Sequence, residues 1–491
     1  MSEAANISLN AIGMQDTHLL SKNSKDSLFN PSHKHNSEFR KYHRTHTVDN
    51  LQKNEWWPFG HTVKVEFNPR NMGDLLTNIW VKIALPEWSV SEAGDWAYGK
   101  FVGRRLIKNI RMRVDGLILQ EIDTEMMVIF DQLYKSYDQK LALNAQFNLN
   151  RYHTNRHPIE IDLDAQKNVF IHIPFFFTQN YGGDAYDENK QNKPPFPVCS
   201  IHKQKIQFEI EFHKPSYFVY TNLTNNRILP PKMIDNFQIV TEEVTLSNEE
   251  RLYYKTKPIE ITTEFTKKHS SRDINVIDDK TFSIILEPTI PVKMFHWFFR
   301  PKFFETEGNY DKLLVENRMF FKTAVPKEGP DPQPLDFINT LTVLDRAYFT
   351  LDGDRFPRAT KMDVEYFKRI IPYTTKLSES GLSPTLQGYY ALQNTSLTNS
   401  GGLQRTLIKD LKLNDIFSYN FAVYPKSTQP SGFLDFSQLN SDKTQLHIEI
   451  DQRTIQNRQR GHESMDDLTM YLYYTGYNVL RFEDGNVSFN G

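Results

Sequence analysis

The stretch Arg104–Tyr137, RRLIKNIRMRVDGLILQEIDTEMMVIFDQLYKSY, constrains this chain most, because its periodicity changes within one short run. Leu106, Ile110, Met112 and Val114 alternate with Arg105, Asn109, Arg111 and Arg113. A period of two belongs to a strand with one buried face. Asp115-Gly116 follows, a dipeptide that supplies the positive φ angles of a tight hairpin turn. Leu117–Ile122 returns as a second strand, and Asp123 is placed to cap a helix with Glu125 in its first turn. Met126, Ile129, Phe130, Leu133 and Tyr137 then share one helical face.

The same order returns at LTVLDRAYFTLDGDRFPRATKMDVEYFKRIIPY. A strand ends at Leu351, Asp352-Gly353 turns, and a short arm reaches Thr360, the expected second cap, with Asp363 as its acidic partner. Val364, Phe367 and Ile371 make the apolar stripe, and Pro372 is expected to stop the helix. Asp115 to Asp123 and Asp352 to Thr360 have the same spacing. Strand, turn, arm, cap and helix recurring at one spacing predict an internal duplication.

Around these two units the chain reads as short strands. In the first half they are Val63–Phe67, Ile79–Leu85, Val169–Ile173, Ile206–Phe212 and Phe237–Leu246. In the second they begin at Ile259–Ile261, followed by Thr281–Leu286, Val292–Arg300, Phe417–Tyr424, Phe433–Phe436, Leu446–Ile450 and Leu468–Phe482. Ser247 caps a short charged helix, NEERLYYKT, that reads as a linker. The expected organisation is an N-terminal arm over 1–54, a first domain over 55–246, a linker helix over 247–257 and a second domain over 258–491. With 491 residues the chain exceeds what one core normally serves. About eight short strands per half, with few helices and long loops, predict an all-β fold. Its form is two tandem eight-stranded antiparallel jelly rolls. Residues 1–50 are polar and aperiodic, with a basic patch from Lys34 to Arg44, and are expected to be dispensable for folding.

Composition excludes several functions. The formal net charge of −2 gives no global attraction for nucleic acid or membrane. Cys199 is the single cysteine, so no intrachain disulfide or cysteine-rich zinc cluster can form. The N-terminus lacks a signal-peptide pattern and no apolar run approaches a membrane span, so a soluble chain made in the cytosol is expected. Sequons at Asn6, Asn222, Asn394 and Asn486 carry no weight without a secretory route.

Candidate chemistry is thin. His33-Lys34-His35 with Glu38 resembles a metal triad but lies in the irregular arm, where nothing rigid would fix its ligands. Glu121/Asp123, Glu242/Glu243 and Glu449/Asp451 are carboxylate pairs of the kind glycoside hydrolysis needs, yet also what solvated strand faces carry. Arg105, Arg111 and Arg113 on one strand face, and Arg453, Arg458 and Arg460 in a loop, could meet phosphates or lipid headgroups. Ion pairing with neighbouring acidic strands is the expected use. The aromatic clusters at 175–177 and 295–299 are expected in the core. No catalytic, cofactor-binding or metal-binding residues are assigned.

The chain resembles the double jelly-roll major capsid proteins of nucleocytoplasmic large DNA viruses. The matching segments are FNPRNMGDLLTNIWVKIALP (67–86), RRLIKNIRMRVDGLILQEID (104–123), IPVKMFHWFFRP (290–301), YNFAVYPKSTQPSGFLDFSQLN (419–440) and YYTGYNVLRFEDG (473–485). The resemblance implies a non-enzymatic subunit of a homotrimeric, pseudo-hexagonal capsomer in an icosahedral shell. Implied partners are neighbouring capsomers, minor capsid proteins and an inner membrane reached by the arm, with no sequence-specific nucleic-acid binding. The implied location is the virion, assembled in the host cytoplasm. A minor capsid or scaffold protein of the same fold, or a carbohydrate-binding or carbohydrate-active β-sandwich, are the alternatives. The trimer is expected to use the sheet flanks and the helices after each Asp-Gly turn. The long loops at 138–167, 178–197, 301–335 and 377–403 are expected on its outer face.

Overall fold

The computed structural model describes residues 37–48, 55–86, 96–98, 102–135, 168–178, 193–221, 229–275, 278–302, 343–357, 362–364, 366–375, 416–451 and 467–489. The first half contributes strands β1 (Phe39–Thr47), β2 (Thr62–Phe67), β3 (Leu75–Ala84), β4 (Trp96–Tyr98), β5 (Ile107–Val114), β6 (Leu117–Asp123), β7 (Asn168–His172), β8 (Ile206–Phe212), β9 (Val219–Thr221) and β10 (Phe237–Leu246). Helices α1 (Val102–Leu106) and α2 (Thr124–Leu133) flank the β5–β6 hairpin, and α3 (Asn248–Thr256) follows β10. The second half contributes β11 (Ile259–Asn275), β12 (Thr281–Ile285), β13 (Val292–Pro301), β14 (Leu344–Leu351), β15 (Asp354–Phe356), β16 (Met362–Asp363), β17 (Phe417–Asn420), β18 (Gln445–Ile450), β19 (Asp467–Glu483) and β20 (Asn486–Phe489), with α4 at Ile371–Thr375.

The strand orders carry the duplication. The first half has sheets β1-β10-β3-β7 and β2-β8-β5-β6; the second has β11-β19-β13-β17 and β12-β18-β14-β15. Along these four-strand paths each strand of one half has its counterpart at the same place in the other, and the pairings are antiparallel; β4-β9, and β16 and β20 beside β14 and β19, lie outside the correspondence. Each half is therefore a jelly roll, two sheets built on four-strand paths facing across an apolar core. The alternation in Ile206, Phe208, Ile210 and Phe212 does what period two requires, since all four are buried. In both organising hairpins Asp and Gly take positive φ, 44° and 92° at Asp115-Gly116 and 54° and 90° at Asp352-Gly353. Asp484-Gly485 repeats the device between β19 and β20, at 51° and 82°.

Several expectations need correction. The arm expected over 1–54 contains β1, an integral strand of the first sheet, so the first jelly roll is incomplete without residues 39–47. Arg105 does not join Arg111 and Arg113 on a strand face. Residues 102–106 turn as helix α1, which swings Arg105 fully inside. The second helix cap is Asp363, whose carboxylate accepts from Tyr366 N at 2.9 Å; Thr360 lies outside the described residues. The arm after the second turn is split into β15 and β16, both paired with β14, so the equal spacing read from sequence does not mark equivalent caps. Pro372 does not stop the helix. The helical run continues through it, from a π-helical turn over Tyr366–Ile370 into α4. At 433–436 a single bridge, Leu434 to Val292, replaces the expected strand.

Residues from Arg40 onward form one compact unit. Its apolar core is continuous across both jelly rolls and includes Phe175, Phe176, Phe177, Phe295, Trp297 and Phe299. Both aromatic clusters are thus core. No helix among the described residues is long and apolar enough to cross a membrane.

Candidate functional site, a seam between the halves and a latched edge strand

The two jelly rolls meet through α2 and the strands beneath it. Asp123 caps α2, accepting from Met126 N at 2.8 Å, and its second oxygen accepts from Tyr473 of β19 at 2.7 Å. Two residues on, in the first turn, Glu125 pairs with Arg300 of β13 at 3.0 Å, and Arg300 is only 3% exposed. At the far end of α2, Tyr134 lies against His296 (Oη to Nε2, 3.1 Å) and donates to Met294 Sδ at 2.9 Å. Nearer the Asp-Gly turns the joint is aromatic: Phe176 packs on Phe265 at 5.0 Å and Phe196 on Phe482 at 5.7 Å. The last hairpin closes it, with Val487 N donating to Gln204 Oε1 and Lys203 N to Gly485 O.

Burial sets the electrostatics here. It pushes the Asp123 carboxyl up to about 6, helped by nearby Glu125 and opposed by the Tyr473 hydrogen bond. Burial works the same way on Glu125, but Arg300 outweighs it and holds that carboxyl below its ordinary value. His296, enclosed in the seam, is pushed down to about 3 by burial. A buried ion pair whose lone pairs are satisfied contributes mainly orientation, since desolvation offsets much of the attraction. The seam therefore fixes the angle between the halves.

A second cluster holds β1. This strand buries none of its nine side chains fully, so apolar packing does not secure it. Instead it clamps two buried carboxylates of β10. Lys41 and His43 reach Glu242 at 2.9 and 3.6 Å, and Arg44 and His46 reach Glu243 at 3.7 and 3.4 Å. Thr77, Asn78 and Gly73 N complete the shells. Burial tends to raise both carboxyls, but hydrogen bonds led by Lys41 at Glu242 and by His46 at Glu243 bring them below the ordinary range. Glu242 and Glu243 thus serve as counter-charges for the N-terminal strand.

The other expected residues disperse. Glu121 pairs with Arg111, Asp123 turns into the seam, and Glu449 sits in β18 on the other jelly roll. Arg111 and Arg113 share Glu209 on the outer face of the β2-β8-β5-β6 sheet, where Lys64 and Glu209 and Lys108 and Glu211 also pair. That face is a charge lattice closed on itself, as expected of Arg111 and Arg113. Arg105 is buried beside Tyr217 and its guanidinium is lowered to about 10 by burial. Arg104, not singled out from sequence, forks onto Asp131 at 2.6 and 3.0 Å. His33, Lys34, His35, Arg453, Arg458 and Arg460 lie outside the described residues, as do Asn6, Asn222 and Asn394 and most of the long loops. The described residues contain no cluster of metal-ligating side chains. Sequence reasoning missed Arg300 and Tyr473. The available signal was Val292–Arg300, which is apolar on both faces where a half-exposed strand would alternate.

Comparison with known proteins shows what the chain is similar to. Residues 29–251 match a family described as "Major capsid protein N-terminus". The major capsid protein of Paramecium bursaria Chlorella virus 1 is 22% identical over 449 residues, covering 87% of this chain and 86% of that protein. The VP54 structure of the same virus superposes with a TM-score of 0.65 at 16% identity, covering 95% of this chain and all of that one. The Faustovirus major capsid protein follows at 0.57 and 10% identity, with 96% and 94% covered.

Proposed function

We propose that this chain, a double jelly-roll major capsid protein of a large DNA virus, works as one third of a trimeric capsomer with pseudo-hexagonal outline. One observation carries this: two jelly rolls whose four-strand paths correspond strand for strand are joined through a buried seam. Three such pairs around a threefold axis present six similar walls, and six similar walls tile a hexagonal net. As a capsid protein the chain is a structural part of the virion. Assembly in the host cytoplasm, contacts with minor capsid proteins and an approach of the N-terminal arm to an inner membrane belong to the same proposal. The charge-closed outer sheet of the first half suits a wall that must not attract nucleic acid or bind it by sequence.

Light scattering on the full chain tests it. The expected mass is three times the 57.6 kDa chain mass, unchanged on dilution into the micromolar range. A monomer or dimer there would remove the capsomer reading and favour a binding module of the same fold.

A further inference from the structure

The duplication makes one comparison possible that a single jelly roll would not. In the second half, the outward face of β13 carries Met294, His296 and Phe298, all fully buried, with Tyr134 at the end of α2 against Met294 and His296 and Phe298 stacked on Tyr471 and Tyr473. The matching face of the first half, on β3, carries Trp80 and Lys82, and neither is fully buried. Trp80 stands between His43 at 5.8 Å and His172 at 5.3 Å, and Lys82 lies over Phe170 at 5.7 Å. Lys82 is third from the end of β3, much as Arg300 is second from the end of β13.

The counterpart of α2 shows the complementary surface. The capping Asp123 is sealed against Tyr473, whereas its equivalent, Asp363, is exposed. Ile370, on the helical turn that Asp363 starts, is 50% exposed. Asp451, Glu449 and Asp363 stand around Asp345. Partial burial, and then these neighbours against the pull of Arg346, push the Asp345 carboxyl up. The first half's face thus offers Lys82 beside an aromatic patch, and the second half offers the Asp363 carboxylate beside an exposed isoleucine.

We propose that the Asp363–Thr375 segment of one copy docks on the Trp80–Lys82 face of the next, repeating between chains the contact that α2 makes within one. This rests on the trimer reading and names its interface. Asp363 stands opposite Lys82 as Glu125 stands opposite Arg300, and Ile370 covers Trp80. Other occupants of the face would be a different protein or solvent.

The test is sedimentation of the full chain carrying Lys82→Glu, Asp363→Lys or both. Each single reversal is expected to move trimer dissociation to about tenfold higher concentration or more, and the double variant to recover most of the loss. Asp363→Asn keeps the helix-capping acceptor but not the charge, so it separates docking from folding and should also weaken the trimer. Thermal unfolding confirms that each variant is folded. A wild-type trimer indifferent to all four variants overturns this interface and leaves the capsomer standing. Weakened single variants with no recovery in the double overturn the Asp363–Lys82 pairing. A monomeric wild-type chain overturns both readings.

Discussion

The first strands of the two jelly rolls occupy the same edge and are held by different physics. β11 runs for 17 residues alongside β19, with Phe265 and Ile274 buried. β1 is 9 residues long, buries no side chain fully, and is secured by backbone pairing and by four basic side chains on Glu242 and Glu243. An apolar strand is retained wherever water is present. A charge-latched strand is retained only while its counter-charges are, and leaving strips the β1 cations from two buried carboxylates.

That contrast can be broken most forcefully by truncation. Deleting residues 1–47 should destabilise the first half by about 5 kcal/mol or more, since a sheet edge is lost and two buried carboxylates lose their partners. Urea unfolding followed by tryptophan fluorescence would show it, and an unchanged cooperative transition would mean β1 is an accessory. A smaller effect is expected in the seam. Arg300→Met strands Glu125 in the core at a cost of about 3–5 kcal/mol. Adding Glu125→Gln should recover much of that, and full additivity of the two changes would deny the pairing.

The Asp-Gly turns sharpen the comparison from the other side, because here the halves should behave alike. Gly116→Val and Gly353→Val should each cost about 1–3 kcal/mol through positive-φ strain. A Cβ at Gly116 meets nothing within 4 Å and one at Gly353 only the Lys443 side chain, so crowding adds little. A large difference between them would point to contacts beyond the turn itself. The smallest effect is a pH slope. Asp123 titrates near 6 in the folded chain against 3.8 as its ordinary value, so the fold binds this proton more tightly than the unfolded chain does. Its contribution therefore rises as pH falls from above 6 towards 4. Glu125, held below its ordinary 4.5, loses its own contribution only below that window. Relative to Asp123→Asn, which keeps a capping side chain, the parent's unfolding midpoint should shift in its favour between pH 7 and 5, over the loss both share from buried His172, His213 and His296, whose pKa values burial lowers.

Most of the fold was legible because it is written in apolar periods. The alternation at 206–212, the Asp-Gly hairpins and the Asp123 cap all rest on local rules that the tertiary structure respects. β1 was not legible, since in FRKYHRTHT the alternating side chains are basic, hydroxyl or imidazole, and their partners lie about two hundred residues away. Arg105 was misplaced because one helical turn breaks the strand period ahead of Ile107. The seam was half-legible. Val292–Arg300 lacks alternation, which signals burial on both faces, but nothing local says that α2 supplies the cover.

Hydroxyl-radical footprinting of the native assembly, read residue by residue by mass spectrometry, addresses the covered and uncovered faces together. Trp297, fully buried, should be protected both in the assembly and in chains dissociated by mild conditions that leave them folded. Trp80 should be protected in the assembly and oxidised once the chains separate. Equal oxidation of Trp80 in both would mean that its face is open in the capsomer, and that the contact within the chain is not repeated between chains.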